Sequence, residues 1–267
     1  MAKKKISITI NQNTLNDIDS IIDNVYIRNR SLAIEYLVKN ALGENKTAVI
    51  LLGGDEENLR ISREEYRPTT KIGKSSLIEQ EVIKLRENNF KIIYIVSRQK
   101  ILTKIFEILK DGSEYGVKVN YVEEKSSRGT ADSLRLLKGK LSANFLVVYG
   151  DILFNNINIE ELWNDHIKHG AAATIMLTTS SKPSEKGTVR VEGNKVLTFE
   201  QKPKVSDIYL VFSPLFAAAP QIFECNGESL EMNIFPKLAE KGLLNGHLSS
   251  EKEIHIHSKK DVLSRGI

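Results

Sequence analysis

Apolar positions along this chain fall into two kinds of pattern. Runs rich in apolar residues at 48–52, 91–96, 117–122 and 144–149 read as strands. Stretches at 75–88, 99–110 and 130–141 space their apolar residues at helical intervals. The alternation predicts a βαβ series, and so a parallel sheet with right-handed crossovers. Ligands of such sheets sit at the carboxyl ends of the strands. A helix at 160–168 and a strand at 171–177 follow, then runs at 189–192 and 196–199 about Gly193-Asn194-Lys195, a hairpin signature. A strand at 208–212, a helix at 229–240 and a strand at 253–256 finish the pattern.

The first 44 residues are patterned differently. Ile6, Ile8 and Ile10 alternate with Lys5, Ser7 and Thr9, predicting a strand with one apolar and one polar face. Residues 11–13 form a turn with a capping residue. Leu15, Ile18, Ile21 and Ile22 then share a helical face. A second helix is predicted over 30–42, with Leu32, Ala33, Tyr36, Leu37 and Leu42 near one stripe, closed by Gly43. One strand and two short helices cannot bury enough apolar surface alone, and a lone strand leaves two open edges. A two-fold dimer in which two such strands pair antiparallel meets both needs. Its polar faces would form a ribbon that fits the DNA major groove.

Charge and composition add three limits. The 267 residues are 41% hydrophobic and 27% charged, as in soluble globular proteins, and the net charge of +4 is too small to declare a nucleic-acid partner. Cys225 is the only cysteine, which excludes an intrachain disulfide and points to a reducing, cytoplasmic setting. Basic residues open the chain, but Ser7, Thr9 and Asn11 interrupt any signal-peptide core, and no apolar run is long enough to span a bilayer.

The N-terminal segment resembles the ribbon-helix-helix DNA-binding proteins in KISITI, NTLNDIDSII and RNRSLAIEYLVKNAL. The resemblance implies that Lys5, Ser7 and Thr9 read base edges. It implies that the second helix, starting near Asn29 to Ser31, presents free amides to a DNA phosphate flanked by Arg28 and Arg30.

After residue 48 the order of elements resembles the sugar-phosphate nucleotidyltransferases, most strongly in RGTADSLRLLKGKLSANFLVVYGDILFN. KSSLIEQEVIKL, FEQKPK, DIYLVFSPLF and ESLEMNIFPKLAEKG also match. The implied fold is α/β, a Rossmann-like domain with a mostly parallel mixed sheet over residues 48–267, preceded by the ribbon-helix-helix arm at 1–44. The resemblance makes Asp151 a ligand for Mg²⁺, a hard cation suited to a carboxylate. It puts Gly129 and Thr130 against a nucleobase and Lys202 against a sugar phosphate.

Gly53 and Gly54 follow the first strand, where backbone amides of α/β domains approach phosphate. The family's GGxGTR loop reads GGDEEN here, so Asp55, Glu56 and Glu57 stand where a triphosphate should sit. One carboxylate–phosphate contact at ~4 Å costs about 4 kcal/mol at an effective dielectric of 20. Arg67 stands for the family's PKP lysine, and His255, with His257 beside it, for a second metal aspartate. Asp207 replaces a glycine that admits the sugar. Loss of the triphosphate loop, the lysine and one metal carboxylate together predicts lost catalysis. The leading reading is therefore a homodimeric or higher-order regulator that binds double-stranded DNA, with a degenerate nucleotidyltransferase domain that senses a nucleotide or nucleotide sugar. Two alternatives stand beside it: an active nucleoside-triphosphate:sugar-1-phosphate nucleotidyltransferase, and a DNA-bound architectural protein.

Overall fold

A computed structural model describes residues 4–22, 27–41, 46–62, 65–126, 128–256 and 261. The chain divides into two compact units, Met1–Asn45 and Lys46–Ile267.

In the first unit, helix Gln12–Ser20 is capped by Asn11, whose side chain accepts from the Thr14 amide at 2.8 Å. It meets helix Arg30–Ala41, and Ile18 and Ala33 are buried. Both predicted helices form, and residue 42 lies outside the described residues. The predicted strand does not: residues 4–10 carry no strand in this single chain. A lone strand has no ladder partner for its amides and carbonyls, so nothing holds it extended.

The second unit is built on a nine-stranded sheet. From one edge the order is Lys118–Glu123, Phe90–Ser97, Lys46–Leu52, Phe145–Tyr149, Leu210–Ala218, Gly187–Glu192, Lys195–Gln201, Leu244–Leu248 and Ala173–Thr179. The first four strands pair parallel, as the βαβ pattern predicts. Beyond them the sheet is not mostly parallel. Leu210–Ala218 runs antiparallel to Phe145–Tyr149, and the two strands of the predicted hairpin pair antiparallel as well. The cause is connectivity: hairpin and return strands replace helical crossovers, and a hairpin can only join antiparallel strands.

Apolar side chains of the central strands point to both faces. Ala48, Ile50 and Leu52 enter one core with Ile78, Val82 and Leu85 of helix Leu77–Glu87, whereas Val49 and Leu51 enter another with Leu134 and Phe235. That two-sided burial is why these strands read as continuous apolar runs. Trp163 packs edge-on against Phe90 at 5.2 Å, a packing role. No helix among the described residues is long and apolar enough to cross a membrane.

Three elements differ from the sequence pattern. The helix expected over 130–141 ends at Arg135 and continues as tight turns to Gly139, which has φ +82°. The helix expected from 229 opens with a π-turn, Leu230–Ile234, before Phe235–Glu240. Strand Leu244–Leu248 was not expected, because Asn245, Gly246 and His247 break its apolar run.

Candidate functional site

The parallel strands deliver four groups to one edge of the sheet. Gly53 and Gly54 follow Lys46–Leu52, Arg98 follows Phe90–Ser97, Glu124 follows Lys118–Glu123, and Asp151 follows Phe145–Tyr149. All lie at carboxyl ends, where α/β sheets bind ligands.

Asp151 is held by its backbone. The Gly150 amide bonds Leu51 O at 3.0 Å, and Asp151 O accepts from Ile256 N at 3.0 Å. A Cβ on Gly150 would lie 2.6 Å from Leu52 Cγ, so the strand end admits only glycine there. Arg67 Nη1 donates to Asp151 Oδ2 at 3.0 Å, and both side chains are about one-fifth exposed, at 18% and 22%. Beneath them Glu81 is buried. Burial pushes its pKa well up, and the Asp151 charge pushes it further.

Gly129 and Thr130 are locked by a residue that the sequence pattern did not single out. Glu231 Oε2 accepts from Thr130 Oγ1 at 2.7 Å and from Ser229 Oγ at 2.9 Å, and Glu231 Oε1 accepts from the Tyr149 hydroxyl. Burial, with Glu231 beside it, drives the Tyr149 pKa far above its ordinary value. A Cβ on Gly129 would lie 2.5 Å from Glu228 O, so this loop sits flush against residues 228–231.

The glycine turn is likewise occupied from within. Gly54 N donates to Glu124 Oε2 at 2.6 Å, and Ser133 Oγ donates to Glu124 Oε1. Arg98 Nε reaches Gly54 O at 3.0 Å. The acidic residues that follow do not face outward uncompensated. Asp55 caps a short turn by accepting from Glu57 N, Glu56 pairs with Lys100 at 3.3 Å, and Glu57 pairs with Arg60 at 2.9 Å. The repulsion expected from Asp55, Glu56 and Glu57 assumed bare charges, and Lys100 and Arg60 stand beside two of the three.

A cleft of about 140 Å³ opens beside this edge, lined by Tyr149, Lys186, Gln201, Phe212, Glu231 and His255 among others. His255 Nε2 meets Glu253 Oε1 at 3.0 Å. His257 lies outside the described residues. Lys202 is exposed at φ +49° and does not line the cleft. Asp207 is exposed and 3.6 Å from Arg190. Among the described residues no three His, Cys, Asp or Glu side chains come together as a metal site. Asp151 still suits magnesium, which takes one or two carboxylates together with substrate phosphates.

In the first unit Lys5, Ser7, Thr9, Arg28, Asn29 and Ser31 are exposed. Asn29 Oδ1 accepts from Leu32 N at 3.0 Å, so one of the helix-start amides expected to meet phosphate is already satisfied. Arg30 is bound to Asp19 through two contacts of 2.7 and 2.8 Å.

Residues 47–243 match the family model described as nucleotidyl transferase. The chain belongs to the nucleotidyl transferase family. A protein of Oryza sativa subsp. japonica named "Probable mannose-1-phosphate guanylyltransferase 1" is 29% identical over 72% of this chain and 56% of its own length. The Xenopus tropicalis mannose-1-phosphate guanylyltransferase catalytic subunit beta is 27% identical over 74% of this chain and 57% of its own. The chain thus spans just over half the length of these curated relatives. A solved Bacillus anthracis structure, described as a glucose-1-phosphate thymidylyltransferase in complex with sucrose, superposes with a TM-score of 0.73 at 20% identity. It covers 83% of this chain and 96% of that one, and shows the shared α/β fold.

These matches overturn the reading of the nucleotidyl transferase chain as a DNA-binding regulator with a degenerate second domain. The family match includes the acidic loop, and the relatives carry transferase names.

Proposed function

We propose that the chain is an active nucleotidyltransferase that joins a nucleoside triphosphate to a sugar 1-phosphate. In the reaction a phosphate oxygen of the sugar attacks the α-phosphorus and forms a new P–O bond. The bond from that phosphorus to the bridging oxygen breaks, and pyrophosphate leaves with the electron pair. The observation that carries the reading is the Arg67–Asp151 pair at the carboxyl end of a central parallel strand, 3.0 Å apart.

Asp151 would hold a magnesium ion, which supplies charge neutralisation for the phosphates when bound. Arg67 sets a guanidinium beside the same carboxylate, where its fork can take phosphate oxygens. Gly129 and Thr130, fixed by Glu231, offer a rigid edge to the nucleobase. Gly53 lets the turn pack against Ser133 and Glu124, which a side chain there would strike. The test is pyrophosphate release with a panel of nucleoside triphosphates and hexose 1-phosphates. Turnover by the unmodified chain that is lost in Asp151→Ala supports the reading.

For the N-terminal unit we propose pairing of two copies through residues 4–10. Ile6 and Ile8 are 76% and 52% exposed, apolar surface that a second copy of the segment would cover. Sedimentation should show a dimer that is lost in an Ile6→Ser/Ile8→Ser variant. A chain that stays monomeric at every concentration rules the pairing out.

A further inference from the structure

The nine-stranded sheet ends at strand Lys118–Glu123, which pairs within the sheet only with Phe90–Ser97. Backbone groups along such an edge strand point alternately inward and outward. Glu124 N turns inward to Ser97 O at 2.8 Å, whereas Val119 N turns outward to Asp111 O at 2.9 Å. The same alternation turns the amides and carbonyls of Tyr121 and Glu123 outward, and none of these groups has a backbone partner among the described residues. An edge of this kind is a template for another strand, and folded proteins cover or blunt it.

The open stretch is bounded at both ends. The Asp111 carbonyl closes it at Val119. Arg98 donates to Gly54 O and to Lys125 O and so holds the chain in the turn after Glu124. What remains open is one residue on either side of Val122. Beside it, on helix Gln99–Leu109, Phe106 is 54% exposed and meets Tyr121 edge-on with ring centres 5.5 Å apart. The Tyr121 hydroxyl donates to Lys110 O at 2.6 Å, which pins the ring at the edge.

Symmetry decides which strand fits. Directly opposite residues of an antiparallel pair alternately exchange two backbone bonds and none. A two-fold axis through Val122 sets it against the partner's Val122 as a pair without bonds. The same axis sets Tyr121 against the partner's Glu123, and Glu123 against the partner's Tyr121, so every open group of both strands is bonded. Charge favours the same arrangement. Glu123 is the exposed acid at one end of the open stretch, and exposed Lys118 and Lys110 stand towards the other. An antiparallel copy brings each Glu123 towards the basic end of the other strand, whereas a parallel copy would set like charges side by side.

We propose that two copies of this chain join their sheets through strand Lys118–Glu123, antiparallel about Val122, with Phe106 and Tyr121 as the apolar part of the contact. The pairing is independent of the transfer reaction. It adds to the pairing through residues 4–10. A ladder this short is a weak contact between free chains, but chains already joined at one segment make the second contact as an intramolecular one.

The test is cysteine linking in the full chain, with Cys225→Ser as background. Opposite residues of an unbonded antiparallel pair have Cα atoms about 4.5 Å apart, within the span of a disulfide. Under mild oxidation Val122→Cys should form a covalent dimer roughly tenfold or more faster than Glu114→Cys, which is exposed and off the axis. Glu123→Pro removes an outward amide and leaves the bonds to Phe90–Ser97 in place. Added to Val122→Cys, it should slow the link by about the same factor. A Val122→Cys chain that does not link, or links no faster than Glu114→Cys, overturns the pairing, and that comparison does not depend on how well the proline variant folds. A link that a folded Glu123→Pro chain leaves unchanged overturns it too. The rate is followed over a range of chain concentrations, with and without Ile6→Ser/Ile8→Ser. A rate independent of concentration that becomes dependent on it in the Ile6→Ser/Ile8→Ser chain supports both pairings. A rate that rises with concentration in both chains keeps the edge pairing and refutes the one through residues 4–10.

Discussion

Arg67 and Asp151 are 84 residues apart in sequence and 3.0 Å apart in space. The pair joins the turn after Tyr66 to the turn after Tyr149 and places opposite charges at the mouth of the parallel strands. In the absence of phosphate, each charge neutralises the other. Under the proposed transfer reaction, a bound phosphate would compete for the guanidinium and release the carboxylate for a cation.

Removing Arg67 should therefore impair turnover more than nucleotide binding. Arg67→Ala is expected to lower kcat by about 10²–10³, the range for one lost donor to developing charge. Arg67→Lys should recover only part of it, because an ammonium cannot reproduce the fork. Steady-state kinetics with both variants decide this. An Arg67→Ala enzyme with unaltered kcat would remove Arg67 from the chemistry.

Glu231 gathers Tyr149, Thr130 and Ser229 on one carboxylate. Glu231→Ala leaves three hydroxyls without their acceptor, at about 1–3 kcal/mol for each that stays buried. Chemical denaturation should show a loss of more than about 3 kcal/mol, and Glu231→Gln a smaller one. Equal stability of the Ala variant and the unmodified chain would show that the cluster is not a support for the Thr130 loop.

Glu81 makes stability depend on pH. Burial, aided by the Asp151 charge, raises its pKa in the folded state, so the fold binds this proton more tightly than the unfolded chain. The contribution is fully present below the ordinary glutamate range and is lost as pH rises towards the folded pKa. The loss runs at up to about 1.4 kcal/mol per pH unit. Glu81→Gln removes the titration, so its stability advantage over the unmodified chain should grow from pH 4 upward. A difference that stays flat with pH contradicts the burial argument.

His166 acts in the opposite sense. It is buried beside Thr174, 3.0 Å from its hydroxyl, and burial pushes the imidazole down to about 4. The unfolded chain takes up the proton first, so this contribution is present above about 6.5 and is lost as pH falls towards 4. The slope within that window is about 1.4 kcal/mol per pH unit. Denaturation of His166→Gln and the unmodified chain at several pH values isolates it: the gap between them should close on acidification. A constant gap would mean that the ring takes up its proton alike in the folded and the unfolded chain.

Much of the fold was legible because the two central parallel strands are buried on both faces and read as apolar runs, as Ala48–Leu52 does. The place of Asp151 was legible for the same reason: the glycine and the polar residue after such a run mark a strand's carboxyl end. The partnerships were not. Glu56 was misread because its partner, Lys100, lies 44 residues away on another helix. Glu231 and Glu253 carry no local pattern, and their roles arise only when the sheet brings Thr130 and Tyr149 to one and Lys186 and Ser213 to the other. The expected strand at 5–10 failed for a different reason, since it has no ladder partner among the described residues.

The central claim is that this chain transfers nucleotides, and its most direct test is enzyme-coupled pyrophosphate detection on the full chain. Magnesium, each nucleoside triphosphate and each of several hexose 1-phosphates are supplied together and separately. Sustained pyrophosphate release that requires both substrates, and that falls at least a hundredfold in Asp151→Ala, is the predicted result. No release with any pairing, or release that persists in Asp151→Ala, would contradict it.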